Sequence, residues 1–498
     1  MSSGQPDPRD EIILAQQRSI AELTETVEKL RGEIAELRKL LFGQSRERMA
    51  KMPTPERQLK QNKSPSPAER ERKRFAAKKK RQAARAKRKE LPVVDVAHDI
   101  DTCPHCQGQN LSDLNKPEVS EEIERIPAHY VRKRHQRAKK KCGTCHEVIT
   151  APAPLRVTEG CHYGPGVHAH AVVSKCADSV PIYRQSKIAQ REGVQLPRNT
   201  LYRMFHRSAE LLQPLARRIQ ELIVASERVN ADETPIKIQA PEKCDTGYIW
   251  TFLADNMIAY QFSASRSGET PRAVLEDTQG WLQVDGYTGY NVVCVPDGRE
   301  RVGCIAHARR KFFNAQQTAP EDAKKALELI LSLYEVEYEA ARQGILGTSK
   351  HLALRRTELK RRLADMQSWM QERAEHHPPK SPMGKALTYA QKMWPTLDAL
   401  LEDPQLRLDN NLAENALRLI ALGRKNFLFV GDHEGGENLA TLQTIVSTCL
   451  ANEINSEAYV ADVLLRLENT PSSKIDELLP INWSSKKAPE HSSETATS

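Results

Sequence analysis

A strongly basic segment divides this chain of 498 residues into separate parts. Residues 46–90 are rich in Lys, Arg, Ala, Ser and Pro, and their excess of basic residues alone exceeds the formal net charge of +9 of the whole chain. Such a block cannot bury enough apolar surface to form a core. We interpret it as a disordered or loosely helical arm that neutralises phosphates, the alternative being a solvated linker without a partner.

Length and composition restrict the remaining classes. The chain is long enough for about three domains, and a hydrophobic fraction of 39% argues against wholesale disorder. It contains no run of the roughly 20 apolar residues that would span a bilayer. The first residues, MSSGQPDPRDEI, do not resemble a secretion signal. We therefore expect a cytoplasmic protein whose ten cysteines are mostly reduced, so that paired cysteines indicate metal binding.

A heptad repeat precedes the basic arm, within residues 1–45. Its a positions are Ile13, Ile20, Val27, Ile34 and Leu41, and its d positions are Leu23, Leu30 and Leu37. β-Branched residues at a with Leu at d favour two parallel helices. We predict a leucine zipper that forms a homodimer or a higher oligomer, the alternative being an amphipathic helix packed on its own domain.

Residues 91–155 contain two C-x-x-C pairs, formed by Cys103, Cys106, Cys142 and Cys145. Each pair can place two thiolates on one tetrahedral ion, and four thiolates complete a closed structural Zn²⁺ site. A redox role is the competing interpretation, and His105 or His146 are alternative ligands. Arg132, Lys133 and Arg134 begin a basic run before the second pair. A basic strand on a zinc module is typical of contact with nucleic acid.

Residues 156–226 are predicted to be helical. In SKIAQREGVQLPRNTLYRMFHR, an amphipathic segment is followed by a turn and by a second helix with Asn199 or Thr200 as its N-cap. The pattern is similar to a helix-turn-helix, whose second helix would carry Arg198, Arg203 and Arg207 into a major groove. Simple packing of two helices explains it equally well.

After residue 227 the pattern changes to short β-rich runs, and residues 227–310 are predicted to form the first part of an α/β catalytic domain. The runs are RVNADETPIKI, YIWTFLAD, MIAYQFSAS, GWLQVDGY, NVVCVP and the start of RVGCIAHARRKFF, with a helix in ETPRAVLEDT. Asp232 and Asp285 lie in or after these strands. Two carboxylates on neighbouring strands repel each other unless a divalent cation such as Mg²⁺ or Mn²⁺ lies between them. Either aspartate alone is explained as a turn cap.

A third acid is expected downstream of a long helical and charged region at about residues 311–400. In residues 401–450, Glu414 and Arg418 are four residues apart on one predicted helix, so that a carboxylate facing a metal has a guanidinium beside it. A surface ion pair is the alternative. Glu434 and Glu437 compete for the role, although turn chemistry accounts for them. Residues 451–498 are predicted to be a C-terminal segment with a disordered tail.

The order of these motifs resembles one protein family along nearly the entire chain. The zipper, the arm and the CPHC and CGTC pairs are followed by VSKCADSVPIYRQ, VNADET, GWLQVDGYTGY, CIAHARRKFF, DNNLAENALRLIALGRKNFLFVG and EINSEAYVADVLLRL. This order is similar to that of the bacterial insertion-sequence transposases of family sixty-six. The resemblance implies an RNase H-like catalytic fold of DDE type, with a helical insertion between the second Asp and the Glu. It implies Asp232, Asp285 and Glu414 as the triad, and transposon-end recognition by the zinc module, the helix-turn-helix and the arm.

The sequence thus predicts a multidomain α+β protein that cuts and joins DNA with Mg²⁺ or Mn²⁺ and carries structural Zn²⁺. Its partners would be transposon ends, target DNA and helper proteins of the same element. We expect the protein to be associated with the nucleoid. Further phosphate contacts are predicted at His307, Arg309, Arg310, Arg418, Arg424 and Lys425. For His307 a place in the core is an equal alternative. Two rival functions remain, a zinc-containing DNA-binding protein without catalysis and an RNase H-like nuclease that does not join strands.

Overall fold

The structure is a computed structural model that describes residues 129–141, 148–151 and 153–483. The predicted zipper, the basic arm and the four paired cysteines lie outside these residues. The predicted tail lies outside them from residue 484 onward.

A short hairpin and three helices come first. Strands β1 (Lys139–Lys141) and β2 (Val148–Thr150) pair antiparallel. The helices that follow are α1 (Pro165–Cys176), α2 (Ile182–Arg191) and α3 (Arg198–Val224). They share a small core of Ala171, Ala189, Leu196, Leu201 and Met204.

The start of α3 differs from the prediction. Pro197, not Asn199 or Thr200, is the N-cap residue, with φ −60° and ψ 147°. Proline has no N–H to leave unsatisfied, and its fixed φ is already compatible with the start of a helix. The expected N-cap at Asn199 or Thr200 is therefore wrong.

Five strands then form one mixed sheet. They are β3 (Arg228–Ile238), β4 (Asp245–Ala254), β5 (Met257–Ser263), β6 (Gly280–Gln283) and β7 (Arg299–Val302). The order across the sheet is β5-β4-β3-β6-β7. Strands β3, β4 and β5 are antiparallel neighbours, whereas β6 is parallel to β3 and β7 is parallel to β6. Helix α4 (Glu269–Leu275) connects β5 to β6.

The predicted strand NVVCVP does not form. Thr288–Val292 is a 3-10 turn, and the next strand begins only at Arg299. Burial of Tyr290 explains the difference. Its ring packs edge-to-face on Trp250, with ring centroids 5.6 Å apart, and its hydroxyl donates to Glu233 at 2.7 Å. This part of the chain therefore buries the ring of Tyr290 instead of adding a strand to the sheet.

The segment between β7 and residue 401 is helical. It contains residues 311–400, where the helical insertion was expected. It comprises α5 (Ile305–Ala315), α6 (Pro320–Gln343), α7 (Ser349–Leu354), a π-helical turn (Arg355–Leu359), α8 (Lys360–Ala374), α9 (Pro382–Met393) and a 3-10 segment (Trp394–Leu401). These elements bury a second apolar core, which includes Phe312, Ile330, Met366 and Leu397.

One fully buried arginine connects separate segments of this helical region through hydrogen bonds. Arg355 is 1% exposed and donates from Nε and Nη2 to the two carboxylate oxygens of Glu337, at 2.9 and 2.8 Å. Its remaining donors reach the backbone carbonyls of Leu400, Asp403 and Leu406. A buried charge is tolerated because every donor group is used.

Three more helices complete the described chain. They are α10 (Asn411–Phe427), α11 (His433–Ala451) and α12 (Ser456–Arg466). Helix α10 packs against β3, and α11 packs against β5 and α3. Short 3-10 segments follow up to Asn482. Of the helices in the described ranges, none is long and apolar enough to cross a membrane.

Candidate active site

Asp232 and Asp285 are brought together by the register of two parallel strands. In the pairing of β3 with β6, Arg228 lies beside Trp281 and Asn230 beside Gln283. Continued by two residues, the same register leads to Asp232 and Asp285. The pairing itself ends at Asn230 and Gln283. The charge of Asp285 raises the pKa of Asp232, so the two carboxylates lie near each other beyond the end of β6.

The environment of Asp232 is strongly anionic. Burial, followed by the negative charge of Glu233 and then the charges of Asp285 and Glu414, raises the pKa of Asp232 to about 7. The N–H of Glu233 donates to Asp232 Oδ1 at 2.9 Å, and this hydrogen bond lowers the pKa of Asp232. Positive charge placed beside Asp232 would therefore favour its ionisation at neutral pH.

The turn after β6 holds Asp285 in place. The N–H of Tyr287 donates to Asp285 Oδ1 at 2.9 Å, as in an Asx turn. The N–H of Gly286 donates to the hydroxyl of Tyr389 in α9 at 3.2 Å. A Cβ at Gly286 would lie 2.6 Å from the ring of Tyr389. The glycine is therefore needed for the approach of α9 to this turn.

Glu414 lies in the first turn of α10 and faces two basic side chains of α5. Its Oε1 is 3.7 Å from Nε2 of His307, and its Oε2 is 3.6 Å from Nη2 of Arg310. The structure thus places His307 and Arg310 beside Glu414, whereas Arg418 is exposed further along α10. Glu414 Oε1 is buried and has no hydrogen-bond partner among the described residues. A buried carboxylate oxygen without a partner is costly unless a ligand completes it.

A chain of buried amides fixes α10 against the sheet. Asn410, which is 1% exposed, donates to the carbonyl of Ala231 at 2.8 Å and accepts from Nδ2 of Asn230 at 2.9 Å. Nδ2 of Asn230 also donates to Gln283 at 3.2 Å, and Gln283 donates to the carbonyl of Arg407. The residues that flank all three acids are therefore hydrogen-bonded to one another.

The donor chemistry of these acids suits a divalent cation. Carboxylate oxygens are the ligands that hard cations prefer. Oε1 of Glu414 lacks a hydrogen bond within the described ranges, and the pKa of Asp232 is raised, so both acids have capacity to accept a further positive ligand. In the described part of the chain, no three His, Cys, Asp or Glu side chains are already gathered into a metal-ligand cluster. The acids fit such an ion in type and location, with ligand distances that only binding would set.

The competing acids are explained locally. Asp432 caps the start of α11 by accepting from the N–H of Gly435 at 2.6 Å. Glu434 lies in the first turn of that helix, where acids are favourable, and is 3.4 Å from His206. Glu437 is exposed.

The other predicted contact residues differ in how they are held. Arg132, Lys133, Arg134, Arg198, Arg203, Arg418 and Lys425 are exposed. Arg207 bonds to Thr158, Glu210 and Glu468, and Arg424 donates to Thr234 and to the carbonyl of Pro235. Both are therefore held by contacts within the protein. Arg309 and Arg310 extend from α5 next to His307.

Two features near the acids were missed by sequence reasoning. Asn410 directly precedes α10, and its buried contacts are made with residues 180 positions away, which leave no local pattern. Glu233 is only 2% exposed at its side chain and pairs with Arg266. The adjacency of Glu233 to Asp232 was visible in the sequence, but no signal pointed to Arg266.

Comparison with protein-family models identifies three matching regions. Residues 160–438 match the model for "Transposase IS66 family". Residues 101–146, which include all four paired cysteines, match the zinc-finger binding domain of transposase IS66. Residues 444–481 match the IS66 C-terminal element. The match to the zinc-finger model supports the predicted structural zinc.

Two curated relatives come from Sinorhizobium fredii (strain NBRC 101917 / NGR234). The uncharacterized protein y4hP is 33% identical over 406 residues, which cover 77% of this chain and 73% of the relative. The uncharacterized protein y4jD is 32% identical over 422 residues, which cover 79% and 81%. The match over residues 160–438 spans more than half of the chain, and the long alignments agree with it. The chain therefore belongs to the IS66 family of transposases.

Proposed function

We propose that the protein binds transposon ends and cuts and joins DNA by a DDE mechanism with two divalent metal ions. The observation that carries this proposal is the convergence of Asp232 and Asp285 through the β3–β6 register, with Glu414 electrostatically coupled to Asp232. Asp232, Asp285 and Glu414 are the proposed catalytic ligands. The strand order β5-β4-β3-β6-β7 is the one expected of an RNase H-like fold and supports the same proposal.

Bound Mg²⁺ or Mn²⁺ would activate the attacking water or 3′-hydroxyl and stabilise the departing 3′-oxygen. The contribution of the chain is to hold three carboxylates at fixed positions. The β3–β6 register fixes Asp232 and Asp285, and the amides of Asn230 and Asn410 fix the helix that carries Glu414. Restricting the positions of these groups before metal and DNA bind would lower the cost of assembling the site.

Cations beside the acids would neutralise the DNA backbone. His307 and Arg310 lie within 4 Å of Glu414, and Arg310 is half-exposed. A phosphodiester that approaches three carboxylates is repelled unless such charges compensate it. After cleavage, the freed 3′-hydroxyl would attack target DNA in the same site, with no covalent bond between protein and DNA.

Recognition is assigned to the parts that precede the sheet. We propose that the zinc module, the basic arm, the exposed residues 132–134 and the helix pair α2–α3 as a helix-turn-helix bind the ends. We also propose that the predicted zipper joins copies of the chain, so that two ends are held together. Helper proteins of the same element remain a further proposed partner.

A strand-transfer assay tests this function. DNA is first selected for binding from a random pool, and the selected duplex is then incubated with the protein and Mg²⁺, both intact and pre-cut to expose a 3′-hydroxyl. The proposal predicts cleavage of the intact duplex and joining of the pre-cut duplex to a second DNA. Cleavage without joining would indicate a nuclease, and binding without either would indicate a DNA-binding protein without catalysis.

A further inference from the structure

Arg266 is not one of the three proposed catalytic acids, but it is held beside them at the same edge of the sheet. Arg266 lies in the loop between β5 and α4 and donates from Nε and Nη2 to Oε1 of Glu233, at 2.8 and 2.5 Å. The hydroxyl of Tyr290 donates to the other oxygen of Glu233 at 2.7 Å. Glu233 is thus a buried carboxylate whose two oxygens are both used to hold neighbouring groups.

A second contact fixes the orientation of this arginine relative to Asp285. The guanidinium of Arg266 stacks on the ring of Tyr287, with Cζ 4.1 Å from the ring centroid. The hydroxyl of Tyr287 donates to the backbone carbonyl of Arg266, and the N–H of Tyr287 donates to Asp285. The same tyrosine therefore positions both the guanidinium and the carboxylate.

Part of the guanidinium is free to bind a ligand. The Arg266 side chain is 44% exposed, and its Nη1 has no hydrogen-bond partner within residues 129–141, 148–151 and 153–483. Guanidinium donors lie in one plane and match the oxygens of a phosphate. By contrast, Arg355 in the helical region uses all its donor nitrogens inside the protein.

The cost of burying Glu233 supports a role beyond stability. Glu233 adds negative charge beside Asp232, where it raises the pKa of the aspartate. A buried ion pair contributes little net stability compared with apolar residues of similar size. Its arrangement here instead presents an oriented cation next to a strongly anionic site.

We propose that Arg266 binds a backbone phosphate of the DNA strand that enters the site beside Asp285, and that Glu233 and Tyr287 hold the guanidinium in position for this contact. The proposal rests on the function proposed above, because it requires DNA at the carboxylate edge of the sheet. It adds one specific contact from a loop that none of the predicted DNA-binding residues occupies.

The test compares Arg266→Gln with Arg272→Gln in the full chain. Arg272 is exposed on α4 in a loose pair with Glu276, at 3.9 Å, so both variants lose one positive charge nearby. The probe is a short duplex selected for binding from a random pool. Arg266→Gln should weaken binding about tenfold and lower the slope of log affinity against log salt by about 0.9, while Arg272→Gln changes affinity less than twofold. Equal behaviour of the two variants would overturn the proposal.

Neutral methylphosphonate linkages, introduced one at a time, distinguish a phosphate contact from a structural effect. One linkage should weaken binding by the wild type and have no further effect on Arg266→Gln. If the variant remains sensitive to every linkage that affects the wild type, Arg266 does not contact a phosphate.

A second variant covers loss of folding. If the thermal transition shows that Arg266→Gln does not fold, the same measurements are made on Glu233→Gln/Arg266→Gln, which leaves no buried charge unpaired. Because the readout is binding, it decides the role of Arg266 even if wild-type protein binds the duplex without cleaving it. Binding without cleavage would reject the proposed function but would leave the proposed role of Arg266 intact.

Discussion

The sheet edge and the helical region between β7 and α10 both bury charged side chains, but they treat them differently. Arg355 is surrounded by Glu337 and by three backbone carbonyls, so each of its nitrogen atoms is hydrogen-bonded. At the sheet edge, the charges of Asp285 and Glu414 act on the buried Asp232, and one oxygen of Glu414 is left without a hydrogen bond in the described part of the chain. The first arrangement stabilises the fold, whereas the second raises the pKa of Asp232, and such perturbed groups are typical of functional sites.

The largest effect is expected from Asp285→Asn, which keeps the shape of the side chain and removes its charge. Metal-dependent cleavage should fall by roughly a thousandfold or more, because one ligand of the proposed metal site is weakened. Asp255→Asn is the matched control, since Asp255 is exposed in the β4–β5 turn with φ 47°, a conformation that asparagine tolerates. Cleavage is measured on a labelled duplex, and an active Asp285→Asn protein would disprove the assignment.

In the helical region, removal of a buried charge is expected to lower stability. Arg355→Ala should lower the free energy of unfolding by roughly 3 kcal/mol, because it leaves Glu337 and three carbonyls without their buried partner. Arg361→Ala should change it by less than about 0.5 kcal/mol, since Arg361 forms solvent-exposed ion pairs with Glu358 and Asp365, three residues before and four residues after it. Denaturant titration measures both. If Arg355→Ala unfolded like Arg361→Ala, the buried cluster would not stabilise this region.

Asn410 connects the two regions, because it follows the helical region, directly precedes α10 and donates to the carbonyl of Ala231 in β3. Asn410→Ala should lower the affinity for Mn²⁺ about tenfold by loosening the helix that carries Glu414. Asn415→Ala, at an exposed position on the same helix, should leave the affinity unchanged. Calorimetric titration with Mn²⁺ compares them. Equal affinities of the two variants would mean that the amide network does not position the ligands.

A smaller effect is expected from pH in the absence of divalent metal. The folded-state pKa of Asp232 is raised to about 7, so the folded protein holds a proton that the unfolded chain releases near pH 4. Stability should therefore fall as pH rises from about 4 to about 7. Asp232→Asn should remove this part of the dependence and raise the free energy of unfolding at pH 8 by on the order of 1 kcal/mol. Parallel pH profiles of the variant and the wild type would contradict the raised pKa.

The sequence locates the acids better than it explains their support. The short strands that carry or precede Asp232 and Asp285 follow a local pattern that periodicity reveals. Their pairing as two members of a triad with Glu414 came from the family resemblance, because the β3–β6 register is a long-range property. NVVCVP was misassigned because the fate of an apolar run depends on where Tyr290 is buried, which is decided by Trp250 and Glu233. Asn410 and Arg266 were missed for a similar reason, since their partners come close only in the folded sheet.

The proposed function requires Asp232, Asp285 and Glu414 to bind divalent metal together. Calorimetric titration of Mn²⁺ into the full chain, after the zinc site has been saturated, tests it directly. The wild type should bind Mn²⁺, and Asp232→Asn, Asp285→Asn and Glu414→Gln should each weaken or abolish that binding while thermal unfolding shows a folded protein. Binding of Mn²⁺ with unchanged affinity and stoichiometry in all three variants would contradict the account.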